Sequence, residues 1–267
     1  MGDGDSGSFP RTAAVIGLGL IGGSLALRLR EVCAHVTGVD LEPAVLDQAK
    51  ARGAIDSGST DLGAAGGADV VIVATPLAQV AQTGIAAARR MRSGAVLTDV
   101  GSVKAPVVAA IHAGLPAGVR YVGGHPMAGN EKQGIAAADA TILDGRPFVL
   151  TPTARTDPSA VALLQTMIVR LRMQPVILDP VQHDELVAQA SHLPYLVSLA
   201  LQRAIADDAR AIGGPAMAEM TRIAHSPQTM WNEICRANRE AILRALVRFE
   251  AELASVRRDV EEGAPTR

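Results

Sequence analysis

Residues 123–134 read GGHPMAGNEKQG, a lone histidine between two glycines and a proline, with an acid and a base close behind. An imidazole with an unperturbed pKa near roughly 6.5 accepts a proton at neutral pH, so His125 suits general-base work on a hydroxyl. Gly123, Gly124 and Gly129 are expected to let the backbone turn sharply, and Pro126 restricts the histidine before it to extended conformations. A second chemical motif precedes it. Gly17-Leu18-Gly19-Leu20-Ile21-Gly22 fits G-x-G-x-x-G. The first glycine makes a turn, the second lets backbone approach a pyrophosphate, and the third packs helix on strand. Leu20 and Ile21 open the helix, whose N-terminus offers partial positive charge to phosphate. Asp40 falls near the spacing, roughly 20 residues on, of the acid that binds the adenosine ribose. A carboxylate there bonds a 2′-hydroxyl and repels a 2′-phosphate, and no Arg or Lys follows before Lys50, so NAD is expected rather than NADP. The competing account is a glycine-rich turn without nucleotide, with Asp40 capping the next helix.

The elements that must position these groups alternate along the first two thirds of the chain. TAAVIGL, AHVTGVD, ADVVIVAT, GAVLTDV and RYVGG read as strands separated by helical stretches, among them Ile21 to Glu31 and Pro43 to Arg52. RPFVLTP and QPVILDP read as edge strands, with a helix from Pro158 to Leu171 between them. Such alternation predicts a doubly wound, mainly parallel α/β sheet of the Rossmann type. Ligands of such sheets sit beyond the carboxyl ends of the strands. Thr75, Pro76, Asp99, Ser102 and His125 all follow strands and should share that rim with the cofactor. Ser102 is placed to orient the imidazole or relay its proton; a serine that caps the next helix and a histidine bonded within its loop are the plainer readings. Lys104 reads as a solvated helix residue, and Glu131 with Lys132 as a surface pair or as part of the site.

From Val181 the pattern is helical: 181–210, 215–225, 227–237 and 238–257. The domains are therefore expected at 11–179 (nucleotide-binding) and 180–267 (all-helical, for substrate and dimerisation), after a disordered tail at 1–10. LPYLVSLALQ is apolar on nearly every side, which suits burial in a bundle that two subunits form together. In a straight helix His183 and His192 point to opposite faces, whereas His192 and Tyr195 share one, beside a kink at Pro194. That polar pair suggests a pocket wall, against a buried, satisfied histidine. Arg222 lies in a mostly apolar stretch. It is either paired with Glu219 one turn back or aimed at a substrate carboxylate, which its planar donors grip bidentately. Trp231, the only tryptophan, reads as core or as the border of the site.

Composition narrows the class. The net charge is −2, and no basic cluster is interleaved with aromatics, so nucleic acid is not an expected partner. Cys33 and Cys235 form no CxxC pair, which suits a reducing compartment without a disulfide framework. Glycines break the apolar run from Ala13 to Leu27, no stretch is long enough to span a bilayer, and the chain reads as cytoplasmic and free of membrane. No metal is expected.

Taken together, GLGLIGGSLAL, DVGSVK, GGHPMAGNEKQG, ASHLPY and TRIAHSPQTMW resemble, in order, the prephenate dehydrogenase family of tyrosine biosynthesis. The resemblance spans roughly Ala13 to Glu250, and its histidine and arginine stretches are more specific than the glycine motif. It implies an NAD-linked enzyme with a nucleotide-binding domain and a helical domain that forms a homodimer. It further implies a dicarboxylate cyclohexadiene substrate, oxidised at C4 and decarboxylated to 4-hydroxyphenylpyruvate. His125 would then accept the hydroxyl proton, bonded to Ser102, and Arg222 would grip the ring carboxylate. Glu131 and Glu219 would stand at the pocket entrance, Trp231 near the substrate, and His192 and Tyr195 on its wall. The family usually reads SHLPH, and Tyr195 replaces its second histidine; this leaves arogenate, the amino counterpart, as an alternative substrate. A non-catalytic NAD-binding sensor is the alternative from another class. The chain is also expected to lack a regulatory ACT domain and a chorismate mutase segment.

Overall fold

The computed structural model describes residues 9–263, and the rest of the expected tails lies outside them. Phe9 and Pro10, assigned to a tail, belong to the fold. Pro10 is buried, its carbonyl accepts from the Cys33 thiol, and the Arg170 guanidinium lies 4.3 Å from the Phe9 ring centroid. The chain divides into two compact units, one ending at His183 and the other beginning at Asp184.

The first unit is built on one eight-stranded sheet: β1 (Thr12–Ile16), β2 (His35–Val39), β3 (Ser57–Ser59), β4 (Val70–Val73), β5 (Val96–Asp99), β6 (Arg120–Pro126), β7 (Pro147–Thr151) and β8 (Gln174–Ile177). Their spatial order is β3-β2-β1-β4-β5-β6-β7-β8. All pairs are parallel except β6 with β7. This is the doubly wound, mainly parallel sheet that the alternation predicts. Two details differ from expectation. The edges are β3 and β8, so β7 is an interior strand, and β3 (Ser-Gly-Ser) carries no apolar signal by which sequence could reveal it.

The central strands are apolar on both faces because helices cover both. Ala13 and Val15 of β1 join the cluster beneath α1 (Leu20–Leu29), α2 (Pro43–Ala51) and α5 (Pro158–Arg170). Ala14 and Ile16 face the cluster beneath α3 (Leu77–Ala88) and α4 (Ala105–Gly114). The order reverses between β1 and β4, and crevices at such reversals open at the carboxyl ends of the strands.

The second unit is helical. α6 (Pro180–Val187) runs from the first unit into it, and a π turn at Ala188–His192 separates α6 from α7 (Leu193–Ala204). Then follow α8 (Asp207–Ala211), α9 (Pro215–Arg222), α10 (Gln228–Ala237) and α11 (Arg239–Glu261). The single long helix expected over 181–210 is thus three. The π turn adds a residue to the helical phase just before Pro194, which sits in the first turn of α7 where its missing N–H costs nothing. No helix among the described residues is long and apolar enough to cross a membrane.

Candidate active site

The glycine turn has the geometry that its sequence implies. Gly17 adopts φ +90°, and a Cβ there would meet the Ala74 carbonyl oxygen at 2.7 Å. A Cβ on Gly22 would stand 1.9 Å from the Gly17 oxygen, so the third glycine closes helix onto strand. Gly19 faces open space instead, with nothing within 4 Å of the Cβ position, and no side chain caps α1 at that residue. An uncapped helix start beside an open glycine is what a pyrophosphate requires. Asp40, at the end of β2, accepts from the Leu18 N–H (2.8 Å) and from the Glu42 N–H (3.1 Å). Its carboxylate is therefore tied to the turn itself, and it keeps lone pairs for a hydroxyl. Thr75 follows β4, with its backbone nitrogen 3.0 Å from the Cβ position of Gly17. Its Oγ1 is buried and has no partner among the described residues. Pro76 is exposed at the start of α3. These features fit a dinucleotide along the carboxyl edge of β1 and β4.

His125 lies in β6, not in a loop after it. The strand pairs with β5 only through Arg120, Tyr121 and Val122; beyond them it runs past the end of β5, and its only strand partner is β7. In that overhang His125 pairs with Val149 and Pro126 with Phe148. The antiparallel partner thus carries the imidazole past the rim of the parallel sheet. Gly123 and Gly124 are extended here, so turning is not their purpose. A Cβ on Gly123 would meet the Thr151 Oγ1 at 2.4 Å, and one on Gly124 the Asp99 carbonyl oxygen at 2.5 Å. Close packing demands these two glycines. Gly129, at φ +139°, is the one that turns the chain.

The partner of the His125 Nδ1 is the Nε2 of His183, at 2.8 Å. His183 is fully buried in α6, and the two rings meet edge-on at 70°. Ser102, expected to bond the imidazole, is half-buried on the segment between β5 and α4. Glu131 and Lys132 are exposed on the turn that follows β6.

Beneath the overhang lies a buried polar network. Lys104 is fully buried, not solvated. Its ammonium donates to the Asp99 carboxylate and, over 2.7 Å, to the Gly124 carbonyl, one residue before the histidine. Asp99 also accepts from the Tyr121 hydroxyl and the Gly101 N–H, each at 2.7 Å. Burial and the nearby Asp99 carboxylate push the Tyr121 phenol well above its usual 10, so it remains a donor.

In the second unit three rings assemble. Tyr195 stacks on Trp231 with centroids 3.7 Å apart and planes 3° from parallel, and His192 meets the same indole edge-on at 5.9 Å. The shared face expected for His192 and Tyr195 therefore closes on Trp231. His192 is buried and its Nδ1 lies 3.2 Å from the Asn238 amide nitrogen, which also donates to the Asp184 carbonyl. Trp231 Nε1 is buried without a partner among the described residues. Arg222 ends α9 and is exposed there, as is Glu219. His183 and Lys104 are the two residues whose part in the site the sequence did not suggest.

A reversed strand order with a glycine turn at the reversal defines a nucleotide-binding α/β protein of the Rossmann type. Known families narrow this. Residues 25–186 match the model of the prephenate dehydrogenase nucleotide-binding domain, and residues 179–266 that of the prephenate dehydrogenase dimerization domain. The chain belongs to the prephenate dehydrogenase family, whose members are oxidoreductases. It is 32% identical to the prephenate dehydrogenase of Bacillus subtilis (strain 168) over 266 residues, covering 94% of this chain and 70% of that protein. A structure of prephenate dehydrogenase from A. aeolicus, in complex with hydroxyphenyl propionate and NAD+, superposes with a TM-score of 0.87 at 28% identity. It covers 96% of this chain and 92% of that one. Synechocystis arogenate dehydrogenase gives 0.80 at 28% identity, over 94% and 92%.

Proposed function

We propose that this chain is an NAD-dependent prephenate dehydrogenase of tyrosine biosynthesis. The observation that carries the reading is His125, held beyond the parallel rim on the edge that also bears the glycine turn. Gly17, Gly19, Leu20, Ile21 and Gly22 would hold the pyrophosphate, Asp40 the ribose, and Thr75 with Pro76 the neighbouring rim. When bound, NAD supplies a hydride acceptor. His125 takes the 4-hydroxyl proton as C4 is oxidised, with Ser102 close to the same group. The C1–carboxylate bond then breaks, carbon dioxide leaves, and the ring becomes aromatic. Arg222 grips the ring carboxylate before that step. Glu131 and Glu219 border the entrance, while His192, Tyr195 and Trp231 form the wall.

Parallel NAD-reduction assays with prephenate and arogenate test this reading. The expected result is preference for prephenate, and silence on both would favour a non-catalytic sensor. Preference for arogenate is the second reading, and Tyr195 favours it. A tyrosine has no cationic form, so it brings no positive charge to the substrate side chain; burial, with Cys235 behind it, pushes its hydroxyl up and keeps it a neutral donor. In the same assay Arg222→Ala is expected to raise the substrate KM about 10- to 100-fold, the weight of one charge-assisted contact. An unchanged KM removes Arg222 from the site.

The partner we propose is a second copy of the chain. Leu243, Val247, Leu253, Val256 and Val260 are exposed along α11 in a single chain, Val247 by 65%. Within α7 only Tyr195 and Ser198 are buried. Apolar exposure of this extent supports an interface there. Sedimentation equilibrium is expected to give a dimer, and Val247→Asp to shift it to monomer; a wild-type monomer sinks the assignment.

A further inference from the structure

Resting on the reading above, we propose that His183 is a positioning residue that fixes the tautomer in which His125 accepts its proton. The sequence offered no role for it, and the chemistry just described does not use it. Its side chain is fully buried, and its backbone N–H is anchored to the Asp179 carbonyl at 2.8 Å. Its Nε2 stands 2.8 Å from the Nδ1 of His125.

A hydrogen bond between two neutral imidazoles shares one proton: one nitrogen donates and the other accepts. With Nδ1 engaged by His183, the nitrogen that His125 has for a substrate hydroxyl is Nε2. To accept there, Nε2 must be bare, so the neutral ring carries its proton on Nδ1 and donates it to His183. His183 then bears its own proton on Nδ1. During turnover the substrate O–H bond breaks and an N–H bond forms at Nε2 of His125. The resulting imidazolium keeps its Nδ1–H on the neutral His183 acceptor. The bond thus orients the ring and stabilises its charged form, as a buried carboxylate does in hydrolase triads. A neutral partner does so without burying a second formal charge.

The test compares His183→Leu, which cannot accept the bond, with His183→Gln, whose amide oxygen can. With the substrate that the wild type oxidises, the leucine variant is expected to lose about 10- to 100-fold in kcat, part of the general-base contribution. Substrate and NAD KM values should stay within about twofold, and glutamine should restore most of the loss. Equal losses in both variants, or none in either, would reduce the contact to packing and overturn the proposal. Nitrogen-15 NMR of the ring nitrogens in substrate-free protein is the second readout. It is expected to find His125 protonated on Nδ1 in the wild type and shifted toward the other tautomer in His183→Leu; a wild-type proton on Nε2 overturns the proposal. These nitrogen shifts decide the tautomer even if the wild type oxidises neither substrate, an outcome that would defeat the functional reading alone. They also decide it if the leucine variant does not fold.

Discussion

His125→Asn is expected to lower turnover by about 10²–10⁴-fold, the contribution of a positioned general base, while NAD still binds. Asparagine cannot take up a proton near neutrality, so the 4-hydroxyl would have to lose its proton to water. The scaffold should survive. The pairing of β6 with β7 is made by backbone, and position 125 is only half-buried. The pyrophosphate turn hangs on β1, separated from β6 by β4 and β5, and its tight contacts involve Gly17, Gly22 and Ala74. A loss in kcat with an unchanged dissociation constant for NAD, measured by titration, is therefore the expected pattern. Wild-type-like turnover in the variant would remove His125 from the chemistry, and a parallel loss of NAD affinity would show that the substitution had disturbed the rim.

The parts of this site legible in sequence are those whose signal is local. The glycine turn and Asp40 announce themselves because the turn needs φ above zero at Gly17 and because β2 ends beside it. The aliphatic strands stand out because both of their faces are covered. The setting of His125 was not legible, since its support is a strand met later in the chain that pairs in the opposite sense. Gly123 and Gly124 look like turn residues until Thr151 and the Asp99 carbonyl are seen pressing on them. Lys104 reads as solvated because its partners are Asp99 and a backbone carbonyl twenty residues away, which no periodicity reveals. His183 and His192 fall on opposite faces only of a straight helix, and the π turn at 188–192 removes that premise. In the helical unit the 3.6-residue rule did find the face shared by His192 and Tyr195, because it spans a single turn.

Lys104→Met should cost about 3–5 kcal/mol of stability, because it strands a buried charge. The variant leaves the Asp99 carboxylate with the Tyr121 hydroxyl and the Gly101 N–H, but without the ammonium that balances it. Neither neutral donor replaces a full charge in a site that water does not reach. The Gly124 carbonyl loses a donor at the same time. The effect should therefore reach the reaction as well, since Gly124 is the residue through which the chain enters the His125 overhang. Urea unfolding followed by circular dichroism measures the first effect. The double variant Asp99→Asn, Lys104→Met separates the two possible causes. With the carboxylate neutralised, no charge is stranded, and the double variant is expected to be more stable than Lys104→Met alone. If both lose the same stability, the cost lies in the volume and hydrogen bonds of the lysine and not in its charge. If Lys104→Met loses less than about 1 kcal/mol, the pair contributes no more than an exposed salt bridge would, and the buried network is not what holds the histidine strand in place.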